Sequence, residues 1–329
     1  THNRGMGEFD LIARYFTRPV RHAVLGVGDD CALLAPRPGM QLAISSDMLV
    51  EGRHFFADVD PEALGHKALA VNLSDLAACG AKPLAFTLAL SLPRVDEAWL
   101  AGFSRGLLAL ADAHGCELVG GDTTQGPLNI CITVFGEVPT GQALLRSRAQ
   151  PGDDIYVSGT LGDARLALEA LLGHIALPAE VLARARLRLE RPTPRVALGL
   201  ALRGVATSAM DVSDGLLGDL SHILQASGAG ACIDTSKTIH LIAAKTYSTI
   251  ATSPLDSELI HQCTLAGGDD YELAFTAPPA RRDAVATSAQ ASGTPVTRIG
   301  TVLAEPNLRL VDAQGQAVEN RYASFDHFR

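Results

Sequence analysis

Apolar positions along the chain fall into two kinds of stretch. Some recur every three to four residues, as on a helix with one buried face, and others run continuously or alternate, as in strands. Residues Glu8 to Phe16 read as a short amphipathic helix. Strands are expected over 31–35 and 41–46. Asp60 then has the character of an N-cap and Pro61 that of a first helical residue, so a helix is expected to Ala78, with Gly80 ending it. LAFTLALSL (84–92) reads as a buried strand, and Asp96 to His114 as a second long helix closed by Gly115. CELVGGD and LNICITVFGEV read as strands.

Turn signals crowd the stretch PTGQALLRSRAQPGDD (139–154), the expected junction between a domain over 1–140 and one over 150–329. Beyond it, DIYVSG reads as a strand, 162–173 and 179–190 as helices, and PTP as a breaker. A strand over 207–212, a helix from Asp214 to Ser227, the strand YELAFTAP, a helix over 279–291 and short final strands complete the pattern. Strands and long helices alternate in both halves, which predicts an α/β (α+β) protein of two domains.

The chain has 329 residues, 47% of them apolar and 19% charged, enough to fill two cores and too apolar for disorder. A net charge of −9 without a basic cluster argues against nucleic-acid or anionic-membrane binding. No apolar run reaches the roughly 18–20 residues of a membrane span. The opening THNRGMGEFD is polar and unlike a secretory signal, and Met6 reads as a native start. Six scattered cysteines, with no C-x-x-C and mostly apolar neighbours, read as buried reduced thiols of a cytoplasmic protein.

Asp outnumbers Glu by 23 to 13, and Gly-Asp-Asp occurs three times, at 28–30, 152–154 and 268–270. Composition alone predicts about 0.15 such triplets. Short carboxylates on glycine turns suit hard divalent cations. There is no phosphate-binding G-x-x-x-x-G-K-[ST] loop, no dinucleotide fingerprint, no H-E-x-x-H and no G-x-S-x-G elbow. What remains is aspartate at the ends of elements: Asp29 and Asp30, Ser45-Ser46-Asp47 at a strand end, Asp75, Asp122 and Asp211-Val-Ser-Asp214. Converging carboxylates repel one another by roughly 4 kcal/mol per pair at 4 Å. Their convergence would call for magnesium, which completes its shell with water and phosphate oxygens. The inference is a nucleotide-phosphate site, and capping or solvated roles for single aspartates stay open.

GVGDDCALL, ISSDMLVEGRHF, DPEALGHKALAVNLSDLAACGAKP, LVGGDTT, DVSDGL, GGDDYEL and FDHF occur in this order between Gly7 and Phe328. Together they resemble the thiamine-monophosphate kinase family, while single blocks also recur in aminoimidazole ribonucleotide synthetase and selenophosphate synthetase relatives. The resemblance implies a two-domain aminoimidazole ribonucleotide synthetase-like fold, with N-terminal domains pairing through their sheets into a homodimer. It implies transfer of the γ-phosphoryl of ATP onto thiamine monophosphate. By this resemblance Asp30, Ser45, Ser46, Asp47, Asp75, Asp122, Asp211 and Asp214 would ligate several Mg²⁺ ions, with Asp29 beside them. Gly121, Asp122, Arg146 and Ser213 would contact ATP, and His54, Asp269 and Tyr322 thiamine monophosphate. Asp269 stands where the family often has Glu and Tyr322 where it often has Trp. Arg53 replaces a usually small or neutral residue, and nothing in the sequence explains it.

The residue types agree with that chemistry. The acceptor phosphate is already anionic, so no general base is needed. Positioning and charge stabilisation in an in-line transfer, with no phosphoenzyme, are expected. Two other readings stand beside it: a relative with a purine-pathway or selenide acceptor, and a non-catalytic magnesium–nucleotide sensor. The first ten residues hold no cysteine for selenide chemistry.

Overall fold

The computed structural model describes residues 5–247 and 256–322. The FDHF block lies outside them. The chain divides into two compact units, residues 1–76 with 81–141, and 77–80 with 142–329.

The first unit opens with α1 (Glu8–Leu11), continued by a π-helical turn over Ile12–Phe16. Its sheet comprises β1 (Met40–Val50), β2 (Lys82–Leu92), β3 (Glu117–Gln125) and β4 (Asn129–Pro139), in the order β1-β4-β2-β3. β2 and β3 run parallel, and the other two pairings are antiparallel. The helices are α2 (Pro61–Cys79) and α3 (Glu97–Ala113). Asp96 caps α3 by accepting from the Trp99 amide. Glycine lets the two helices touch backbone to backbone: a Cβ on Gly106 would fall 1.9 Å from the Glu62 carbonyl oxygen, and one on Gly65 would collide with Phe103. Ile130, Ile132 and Val134 of β4 and Phe86, Leu88 and Leu90 of β2 are buried on one face of the sheet. Leu42, Ile44 and Met48 of β1 are exposed on the other.

Two expectations need correcting here. Residues 31–35 form no strand; Leu33 makes only an isolated bridge to Leu25. β1 runs on to Val50, so Ser45, Ser46 and Asp47 sit within the strand and not at its end.

The second unit contains β5 (Asp154–Ser158), β6 (Ser208–Val212), β7 (Gly230–Asp234), β8 (Glu272–Ala277), β9 (Val296–Leu303), β10 (Leu308–Val311) and β11 (Ala317–Val318). They form one sheet in the order β11-β10-β7-β9-β5-β8-β6. Its helices are α4 (Asp163–Leu171), α5 (Ala179–Glu190), α6 (Val196–Leu202), α7 (Leu216–Ser227), α8 (Thr235–Thr238), α9 (Ala244–Tyr247), α10 (Ser257–Ala266) and α11 (Arg282–Ser292). β5, β6 and β8 are buried along their whole length, the mark of a sheet covered on both faces. One core joins Ile155, Val157, Val212, Leu220, Ile233 and Ile299. Tyr156 stacks on Phe275 with ring centres 5.0 Å apart.

All six cysteines are free thiols, as the sequence predicts, but only Cys116 and Cys263 are buried; Cys79, Cys131 and Cys232 are partly exposed and Cys31 is exposed, where burial was expected. Among the described residues no helix is long and apolar enough to cross a membrane.

Candidate functional site

In the first unit the glycine turn Gly28-Asp29-Asp30 and the strand residues Gly121-Asp122 line one cavity of about 560 Å³. Gly28 has φ +130° and Gly121 φ +147°. At Gly121 the reason is contact as well as conformation: a Cβ there would lie 1.8 Å from the Leu88 carbonyl oxygen on β2. The close pairing of β2 and β3 that carries Asp122 to the cavity therefore requires glycine at 121.

Asp75, near the end of α2, accepts a 2.7 Å hydrogen bond from Ser45 Oγ. Strand alternation then divides the neighbouring candidates. Ser45 lies opposite Val134 and Asp47 opposite Ile132, so both belong to the buried face of the sheet. Ser46 lies opposite Thr133 and hydrogen-bonds its hydroxyl at 3.1 Å, on the other face. Asp122 shares that other face, since it pairs with Ala89, which pairs with Cys131. The structure thus brings Ser45 to Asp75, and Asp29 and Asp30 to Asp122, but it separates the Ser46 side chain from those of Ser45 and Asp47. His54 follows β1 in a tight turn, where its Nδ1 accepts from the Val50 amide at 2.9 Å. That bond leaves Nε2 as the ring nitrogen able to donate.

In the second unit Asp211 is buried at the end of β6, paired with Leu273. The chain then turns into α7 through Ser213, Asp214 and Gly215, whose φ is +122°. The amides of Ser213 and Asp214 both donate to Asp219 Oδ2, at 2.8 and 2.9 Å. Burial pushes the Asp219 carboxyl up to about 6, and those two hydrogen bonds oppose the shift. Asp219 escaped the sequence reading, although its place five residues after Asp214 on the first turn of α7 was a usable signal. The Asp269 amide donates to the Ser213 carbonyl at 2.8 Å, so the GGDDYEL turn rests directly on the DVSD segment. Arg146 is exposed, its carbonyl accepting from Ser227 Oγ at 2.8 Å. Tyr322 packs against the main core, and its hydroxyl donates to Glu258 Oε1 at 3.1 Å. Its ring centre stands 6.1 Å from that of His261. Burial, then the Glu258 hydrogen bond, raises the Tyr322 phenol above its usual range. Glu258 and His261 were not foreseen, because no local pattern links them to Tyr322.

The metal-ligand types among the candidates are mainly carboxylate and hydroxyl oxygens, with His54 supplying an imidazole nitrogen. Among the described residues no three His, Cys, Asp or Glu side chains converge closely enough to hold a metal by themselves. The candidate carboxylates are spread over several places, an arrangement suited to a cation that shares its shell with phosphate.

The fold and these segments define a class. Residues 28–138 match the family of AIR synthase related proteins in its N-terminal domain, and 150–313 in its C-terminal domain. The chain is 46% identical over 327 residues to thiamine-monophosphate kinase of Salmonella typhimurium, covering 98% of each. A crystal structure of thiamine-monophosphate kinase from Stenotrophomonas maltophilia superposes with a TM-score of 0.82 at 45% identity, covering 94% of this chain and 95% of the other. AaThiL complexed with AMPPCP and TMP superposes with a TM-score of 0.74 at 29% identity, covering 89% of each chain. The chain belongs to the thiamine-monophosphate kinase family of AIR synthase related proteins.

Proposed function

We propose that this protein transfers the γ-phosphoryl group of ATP in line onto the phosphate of thiamine monophosphate, yielding thiamine diphosphate with no phosphoenzyme. The observation that carries the reading is the near identity of length and the 46% sequence identity with a thiamine-monophosphate kinase. It is supported by a relative of the same fold complexed with AMPPCP and TMP. It is supported too by the donor set, which offers mainly carboxylate and hydroxyl oxygens, suited to magnesium and phosphate.

In this reading the first unit supplies ATP and metal contacts together with His54 for the acceptor, and the second unit supplies further ATP and metal contacts and the remaining acceptor contacts. Gly121, Asp122, Arg146 and Ser213 contact ATP. The Gly121 backbone allows close approach, and the Arg146 guanidinium offers a forked phosphate contact. Asp30, Ser45, Ser46, Asp47, Asp75, Asp122, Asp211 and Asp214 would hold several Mg²⁺ ions, with Ser46 and Asp122 on the face of the first sheet opposite Ser45 and Asp47. When bound, magnesium neutralises phosphate charge as it builds up in transfer. Because the protein carboxylates are spread in small sets, nucleotide and cations are expected to bind as one complex.

His54 offers Nε2–H to the acceptor phosphate. Asp269 offers a carboxylate, and Tyr322 an aromatic face, to the thiazolium cation. The chain's own work is to bind, orient and exclude water. The acceptor oxygen is ionised at neutral pH, so no side chain need remove a proton. The exposed Leu42, Ile44 and Met48 on the outer face of the first sheet support pairing with a second copy of the chain. Six free thiols support a cytoplasmic setting.

The test is turnover with MgATP and thiamine monophosphate, followed as thiamine diphosphate by chromatography. Controls replace the acceptor with free thiamine or add EDTA. Magnesium-dependent thiamine diphosphate is expected. Nucleotide binding with no product would overturn the reading in favour of another acceptor or a sensor.

A further inference from the structure

Two residues that are not glycine, Asp269 and Tyr271, hold left-handed backbone at φ 60° and 53°. A bulky aromatic residue in that region is an outlier, and such strain persists only where the surroundings enforce it. Here they do. The Asp269 amide donates to Ser213 O at 2.8 Å and the Tyr271 amide to Val212 O at 2.7 Å. Between them lies Asp270, 2% exposed, whose Oδ1 accepts from the Gly162 amide at 2.9 Å. Its carbonyl accepts from Arg188 Nη2 at 3.0 Å, and the same nitrogen reaches Glu272 Oε1 at 2.8 Å. Glu272, fully buried, is further held by two bonds from Arg195, at 2.8 and 2.7 Å, and one from Ser158 Oγ at 2.6 Å.

Asp270 is a poor choice for stability alone. Its Oδ2 is buried and has no hydrogen-bond partner among the described residues, and such an oxygen destabilises relative to a well-packed apolar group. Burial raises its carboxyl well above the usual range, and an amide, which keeps an oxygen for the Gly162 amide, is its near isostere. Phosphoryl transfer as described above makes no use of it.

We infer that Asp270 is a positioning residue: tied to Gly162, it holds the strained turn that presents Asp269 to the acceptor. The neighbouring segment Asp211–Asp214 has its own anchor in Asp219, through the amides of Ser213 and Asp214. Loss of the Asp270 hydrogen bond therefore disturbs the acceptor contact and spares the nucleotide side. The inference rests on the reading of Asp269 as an acceptor contact.

The experiment measures steady-state kinetics of the whole chain with ATP and thiamine monophosphate, and amide hydrogen exchange at residues 269–271. The variants are Asp270→Ala, Asp270→Asn and Arg188→Met. Asp270→Ala is expected to raise KM for thiamine monophosphate about tenfold, on the scale of one lost hydrogen bond, and to change KM for ATP less than about twofold. Exchange at 269 and 271 should quicken. Asp270→Asn, which keeps an acceptor for Gly162, should stay within about threefold of the parent. Equal rises for both substrates, an Asn variant as damaged as the Ala variant, or unchanged exchange in Asp270→Ala would each overturn the inference. Should Asp270→Ala not fold, Arg188→Met must show the same split between substrates. That change frees the Asp270 carbonyl and leaves Glu272 bonded to Arg195, and equal effects on both substrates there are equally fatal. A parent with no turnover on thiamine monophosphate overturns the functional reading instead, and the exchange comparison still decides what Asp270 does for the turn.

Discussion

The Ser45 hydroxyl donates to Oδ2 of Asp75 across 2.7 Å, tying the middle of β1 to the last turns of α2. A carboxylate held this way is oriented before any ligand arrives, and a hydrogen bond to a charged acceptor contributes about 1.5–3 kcal/mol. Ser45→Ala should therefore lower turnover by about tenfold to a hundredfold while the fold survives. Asp47→Asn, Asp75→Asn and Asp122→Asn should each remove about 10²–10³-fold or more of the rate. Rate measurements over a magnesium titration, with a melting curve for each variant, check this. Near-normal rates in all three carboxylate variants would remove the metal hypothesis.

Gly121→Ala is expected to fail for a different reason. Its Cβ would fall 1.8 Å from the Leu88 carbonyl oxygen, on backbone at φ +147°. Relief requires β2 and β3 to part, at a cost of about 1–3 kcal/mol or more. A drop in melting temperature and a raised KM for ATP are the expected results. A variant with unchanged melting would contradict the close strand contact.

Tyr322 is held by Glu258 and packs on the core, so its ring is a fixed face. Tyr322→Ala should raise KM for thiamine monophosphate about tenfold and that for ATP little, from loss of a cation–π contact. Tyr322→Trp should retain most of the affinity. Equal effects on both substrates in the Ala variant would argue against stacking.

Acid stability should depend on Asp154. The hydrogen bond from Arg282 holds its carboxyl below the usual range, against the opposing effect of burial. A depressed carboxylate contributes stability that is present above its unfolded value of about 3.9 and lost as pH falls through the folded value. In chemical denaturation between pH 6 and pH 3, the parent should lose more stability on acidification than Asp154→Asn. The gap between the two should close toward pH 3. A gap that stays constant with pH would assign the effect to packing.

Much of the secondary structure was legible in the sequence because it is local. Pro61 and Gly80 bracket α2, Asp96 caps α3, and the alternation in LNICITVFGEV marks β4. Other elements were not legible. α6, α10 and β7 are short, and each is stabilised by burial against residues remote in sequence, which periodicity does not record. Residues 31–35 are apolar enough for a strand but gain only one bridge, Leu33 to Leu25, and apolar content alone does not record whether a pairing partner is in register.

The same division runs through the candidate site. Sequence by itself determined the family, through ordered blocks shared with one kinase family, and the predominance of aspartates on glycine turns. Tertiary structure decided which of those residues lie together. Ser45 and Ser46 are neighbours in the chain, yet strand alternation sends one to Asp75 and the other to Thr133. Asp270 differs from Asp269 by one position, yet one is fully buried beneath a strained turn and the other rests on Ser213. Residue type and spacing are properties of the chain, whereas the face a side chain takes and the partners that bury it depend on strands and helices a hundred residues away.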